Sequence, residues 1–125
     1  MEKYSEVNEL IQKFKQSFPA ASQKATKIFV GLGFEDVNEF PYLWLEALAD
    51  VTNSLFKSNA KEAEAHLKFM STELNKGIEN VTKAIDVAYV ENLMLGFTNS
   101  EKKSAWEYFP SNIKQLYEAM WGRCF

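Results

Sequence analysis

Apolar residues recur along this chain at steps of three and four. Tyr4, Val7, Ile11, Phe14 and Phe18 do so without a miss, with Leu10 beside them and Lys13, Lys15 and Gln16 between. That period predicts an amphipathic helix. Pro19 opens a second helix from its first turn, striped by Ala21, Ala25, Ile28 and Leu32 with Phe29, and closed by Gly31 and Gly33. Residues 34–41 form an acidic connector with turn chemistry at Asp36 and Asn38. Pro41 opens a third helix over Tyr42 to Phe56, striped by Trp44, Leu48, Val51 and Leu55 and thickened by Leu45 and Phe56. Asn59 stands three before Glu62, the spacing of a capping box. A fourth helix comes next with Ala63, Leu67, Met70 and Leu74 on one face, ended by Gly77. After a turn at residues 96–100 come a short helical segment over 101–108 and a last helix from Pro110, with Ile113, Leu116, Tyr117 and Met120 inward and a short tail beyond Gly122.

Ile78 to Leu95 is the stretch around which the other helices are expected to pack. Ile78, Val81, Ile85, Ala88 and Tyr89 keep the helical step, while Val87, Val90, Met94 and Leu95 fill the remaining sides. A helix apolar nearly all round is buried by neighbours. Its β-branched residues (Val81, Thr82, Ile85, Val87, Val90) admit a strand instead. The three- and four-residue steps, the length and the internal Asn and Glu residues favour the helix. The fold class is therefore all-α: one domain over 1–125, a bundle or short α-solenoid of five or six helices around residues 78–95.

Length and composition fit one soluble globular domain. The net charge of −3 argues against a general nucleic-acid binder, and its distribution is informative. Residues 1–30 carry net +2, whereas residues 31–66 carry net −5. Such a middle is either a solvated helix face or a surface complementary to a basic partner. The charged N-terminus lacks a signal-peptide core, no run reaches bilayer-spanning length, and the single Cys allows no intrachain disulfide. A cytoplasmic location is expected.

Candidate chemistry is sparse. Gly31-Leu-Gly33 lacks the rest of a phosphate-binding fingerprint. His66 is the only histidine and lies on the polar-leaning side of the fourth helix, expected exposed or half-buried. With Cys124 it cannot complete a zinc site. Cys124 reads as an inert thiol, or one able to pair between chains. Glu35 with Glu39, and Glu46 with Asp50, are spaced by four. No calcium-loop pattern and no Glu-x-x-His accompany them, so neither a metal nor a cofactor is expected. Acids at such spacing suit pairing with Arg and Lys of a partner. The expected partner-binding residues are Glu35, Asp36, Glu39, Glu46, Asp50, Glu62 and Glu64, with Tyr42 as an aromatic anchor.

The run from Glu79 to Leu93 resembles a segment shared by a group of small helical bacterial proteins, matching at Val81, Ile85, Val87, Tyr89, Glu91, Asn92 and Leu93. Lys83 stands where they commonly have Asn. Trp106, Pro110, Leu116, Tyr117 and Glu118 match a later part of the same pattern, and the likeness spans about residues 40–122. Some of these proteins resemble immunity proteins of contact-dependent inhibition or polymorphic toxin systems. The resemblance implies a non-enzymatic immunity protein whose acidic surface occludes a basic cognate toxin, such as a nuclease, with no direct nucleic-acid or membrane contact. Glu91-Asn92, the polar dipeptide in the core stretch, reads as a buried pair holding a helix end or as part of a binding site. Two other classes stay open: a helical adaptor with an apolar groove for a partner helix or peptide, and a small-ligand protein or enzyme with carboxylates in an internal pocket.

Overall fold

The computed structural model describes residues 3–123 and residue 125. These form seven α-helices: α1 (Ser5–Ser17), α2 (Pro19–Gly31), α3 (Pro41–Ser58), α4 (Ala60–Leu74), α5 (Glu79–Ala84), α6 (Asn99–Trp106) and α7 (Ser111–Trp121). There is no strand among the described residues, so the all-α reading holds, with one or two helices more than expected. The reading of Cys124 lies outside the described residues.

The local signals act where the residue types place them. Proline occupies the first turn of α2 and of α3, where its missing N–H has no helical partner to lose. Gly33 (φ 98°) and Gly77 (φ 69°) take the left-handed conformation after α2 and α4. Asn59 caps α4 by accepting from the Glu62 N–H at 3.3 Å, but the reciprocal arm of the box is not made, because the Asn59 N–H goes to the Leu55 carbonyl. A complete capping box stands instead at Thr98 and Glu101, opening α6.

The centre of the molecule is shared. α3 packs against α1, α2, α4 and the segment 85–92. Trp44, Leu45 and Leu48 are fully buried along it. The 78–95 stretch lies against α3, but it is not the single regular helix expected. After α5 the chain passes through a π turn over Ile85–Tyr89 and a 3-10 turn over Val90–Asn92. Leu93 is then extended (ψ 140°), Met94 takes φ 61°, and Leu95 points into solvent. The cause is a side chain: Asn92 Nδ2 donates to the Ala88 carbonyl at 2.7 Å, the acceptor that a continuing helix would give to a backbone N–H.

Asn53 on α3 pins the irregular turn. Its Nδ2 donates to the Asn92 carbonyl at 2.9 Å and its Oδ1 accepts from the Met94 N–H at 2.7 Å. One buried amide thus satisfies both backbone groups that the turn would otherwise orphan. Of the two readings of the Glu91-Asn92 pair, Asn92 fits the structural one, since its backbone and side chain hold this helix end, but both residues are half-buried, not buried, and the Glu91 side chain takes no part in those bonds.

His66 corrects a second expectation. It is fully buried, not exposed or half-buried. Its ring packs against Phe14 and Phe18 at centroid distances of 5.1 and 4.7 Å, and its Nδ1 lies 3.0 Å from Thr52 Oγ1. The same hydroxyl oxygen lies 2.8 Å from the Tyr89 hydroxyl and donates to the Leu48 carbonyl at 3.1 Å. Since Thr52 has one proton and gives it to Leu48, it accepts from both Nδ1–H of His66 and O–H of Tyr89. The remaining ring nitrogen, Nε2, is buried with no partner among the described residues. The polar neighbours of His66 in sequence face outward, while His66 itself falls on the stripe that meets α1 and α3.

Candidate functional site

Glu46 and Asp50 lie one turn apart on the exposed face of α3. The segment 85–92 crosses beside them and brings up Glu91. Partial burial, then the charges of Glu91 and Asp50, raise the proton affinity of the Glu46 carboxyl above its ordinary value. Partial burial alone raises that of Asp50. Three like charges from two elements therefore stand together because the backbone holds them there.

An aromatic cleft adjoins this trio. Trp121 Nε1 donates to the Glu91 carbonyl at 3.0 Å, fixing the end of α7 against the 3-10 turn. The Trp121 side chain is nonetheless 50% exposed and Leu95 is 53% exposed. Both line a cleft of about 170 Å³ with Met94, Tyr117, Lys102 and Phe125. Phe125 turns back onto Trp106, with ring centroids 5.2 Å apart, so the expected free tail is packed at its last residue. Burial raises the Tyr117 hydroxyl above the usual phenol value. The unusual backbone of residues 93–94, held by Asn53, is what turns Leu95 outward.

The other expected contact residues do not join this surface. Glu35, Asp36 and Glu39 are exposed in the connector before α3. Asp36 Oδ1 accepts from the Asn38 N–H at 2.9 Å, the turn chemistry anticipated there. Tyr42 is half-buried in the first turn of α3, its ring 6.1 Å from that of Tyr4. Desolvation, then Tyr4, push its hydroxyl above the ordinary value. Glu62 and Glu64 lie in the first turns of α4, beyond the opposite end of α3, roughly 27 Å along the helix axis from the connector by helical rise. Glu64 pairs with Lys68 at 3.7 Å. The acidic middle of the sequence is thus three separate places on the surface.

Of the aromatics that flank the acids in sequence, Trp44 and Trp106 are core residues. Glu91, read in sequence as holding a helix end or as part of a binding site, joins Glu46 and Asp50, and Trp121 lies beside them. Glu91 stood out in sequence as a charge inside the core stretch, but its nearness to α3 depends on the π and 3-10 turns. Among the described residues, no three His, Cys, Asp or Glu side chains are placed to hold a metal ion. No helix among them is long and apolar enough to cross a membrane. No curated protein and no solved structure matches the chain. A family does match, over residues 11–122, and the chain belongs to it: the family described as "Domain of unknown function (DUF7674)".

Proposed function

We propose that this protein acts by binding a basic protein partner and covering it, with no chemistry of its own. The observation that carries this reading is the cluster of Glu46, Asp50 and Glu91 beside exposed Trp121 and Leu95. Like charges gathered on a folded surface repel, and Arg or Lys side chains of a partner relieve that repulsion through charge-assisted hydrogen bonds. Trp is enriched among residues that dominate binding energy, and Leu95 extends the apolar contact. The Asn53 clasp holds the surface in shape before the partner arrives, which lowers the ordering cost of association.

The partner class comes from the resemblance of residues 79–93 and 106–118 to a group of small helical bacterial proteins, some of which resemble immunity proteins. The partner is then a bacterial toxin, and a nuclease is the kind whose basic cleft this surface would fill. The carboxylates would take the positions of nucleic-acid phosphates and close the cleft to substrate. The direct test is co-expression with toxic domains encoded beside its gene. Protection from one of them, with a stable complex, is expected. The triple variant Glu46→Gln, Asp50→Asn, Glu91→Gln should raise Kd by more than about tenfold and flatten the salt dependence of the on-rate. Trp121 keeps its anchor in that variant, because the anchor is the backbone carbonyl of Glu91. A wild-type on-rate indifferent to ionic strength, or no protection from any neighbouring toxin, would overturn the reading.

A further inference from the structure

Three of the large exposed apolar side chains gather at one end of α2: Val30 at 54%, Leu32 at 63% and Phe40 at 41% exposure. Phe34 packs between the buried Phe29 and Phe40 at ring distances of 5.6 and 5.1 Å, which ties the connector to this end of α2. The two flanks of the patch carry opposite charge. On one side an open groove runs along α2, rimmed by Lys15, Lys24 and Lys27 and floored by Pro19, Ala20 and Val30, with no carboxylate lining it. On the other side is the connector with exposed Glu35, Asp36 and Glu39, three acids against one base, since Lys3 shares a hollow with Asp36 and Glu39. Among the described residues neither Lys24 nor Lys27, nor any of these three acids, is in an ion pair.

From this arrangement we infer that two copies of the chain pair across a two-fold axis passing through the Val30–Leu32 end of α2. In a two-fold interface residue i meets j and j meets i, so a surface must complement itself. An apolar centre with a positive flank on one side and a negative flank on the other does so only when the copies run antiparallel. Val30 and Leu32 then meet their own counterparts at the axis. Lys27 and Lys24, about 4.5 and 9 Å from Val30 by helical rise, face the connector acids of the second copy, twice over. A partner of single charge would satisfy one flank and leave the other unpaired, which is why a second copy is the occupant. The pairing leaves Glu46, Asp50 and Glu91 out of the contact, so it stands or falls independently of the proposed function.

Sedimentation of the full chain over a wide concentration range tests it. A reversible dimer is expected at low salt, weakening as salt rises. Leu32→Glu with Val30→Glu should weaken it by more than about tenfold. Both sites are exposed, and a helical circular-dichroism spectrum unchanged from wild type confirms folding. Lys24→Glu with Lys27→Glu should weaken it comparably, and adding Glu35→Lys with Glu39→Lys in the same chain should restore it. A chain that stays monomeric at every concentration in low salt would overturn the inference. So would a dimer indifferent to the Leu32 and Val30 changes, or a charge-exchanged chain that does not recover.

Discussion

Two polar clusters join α3 to the segment 85–92, and they are built on opposite terms. In the interior, Thr52, His66 and Tyr89 meet around one hydroxyl oxygen whose proton and lone pairs are all used. On the surface, Glu46 feels the like charges of Glu91 and Asp50, and among the described residues none of the three carboxylates has a hydrogen-bond or ion-pair partner. The first cluster is satisfied at its hub, with His66 Nε2 left over among the described residues, so it specifies how the elements dock and offers little to anything outside. The second is a set of acceptors without donors. A buried, matched network speaks for the fold, whereas an exposed, unmatched one speaks for a partner.

The contrast is sharpest under substitution. Thr52→Val removes the shared oxygen and leaves the Tyr89 hydroxyl and His66 Nδ1 buried without partners. Unfolding in urea should show a loss of about 3 kcal/mol. His66→Leu should cost less, since it also discards a nitrogen that has no partner. A larger cost for His66→Leu than for Thr52→Val would mean that the hydroxyl is not the hub.

Acid should separate the two clusters next. Burial pushes the His66 imidazole down to about 4, against about 6.5 in the unfolded chain. Between those values the unfolded state binds the proton and the folded state does not. Stability is therefore full above about pH 6.5, falls as pH drops toward 4, and levels off below, by at most about 3 kcal/mol. Denaturation midpoints across that window should show the slope in the wild type and lose most of it in His66→Leu. The Glu46 and Asp50 carboxyls act with the reverse sign. Their folded proton affinity is raised, so the folded state holds protons longer and stability falls as pH rises through the carboxyl range.

The smallest expected effect has the opposite direction from the first. Glu46→Gln removes one of three mutually repelling charges from an exposed position. It should leave stability unchanged or raise it by a few tenths of a kcal/mol, as surface charges do. Thermal denaturation at low salt measures this. A clear loss of stability would place Glu46 among the structural residues and weaken its reading as a contact.

Much of the architecture is legible from periodicity, because stripes such as Val7, Ile11 and Phe14 or Trp44, Leu48 and Val51 report burial directly. The features that matter most for the site are not periodic. His66 stands between half-buried Ala65 and buried Leu67, and the hub it meets, Thr52, is 14 residues from it and 37 from Tyr89. The end of the helical run at Asn92 goes with that side chain taking the Ala88 carbonyl, which no apolar pattern encodes. The acids form one block in the linear charge count, yet α3 carries its two ends apart. Glu91-Asn92 left two readings open in sequence, and only the fold brings Glu91 beside Glu46.

The π turn at Ile85–Tyr89 has a consequence for any reshaping of this chain. A wide turn adds one residue relative to an ideal α-helix and so sets the angular phase of everything after it. Drawing the same residues into a regular α-helix, with none deleted, would yield a tidier segment and rotate the downstream chain by about 100°. The Glu91 carboxylate, the carbonyl that anchors Trp121 and the outward Leu95 would swing off α3 together. Regularising this segment would therefore erase the outward-facing surface while improving the local hydrogen bonding.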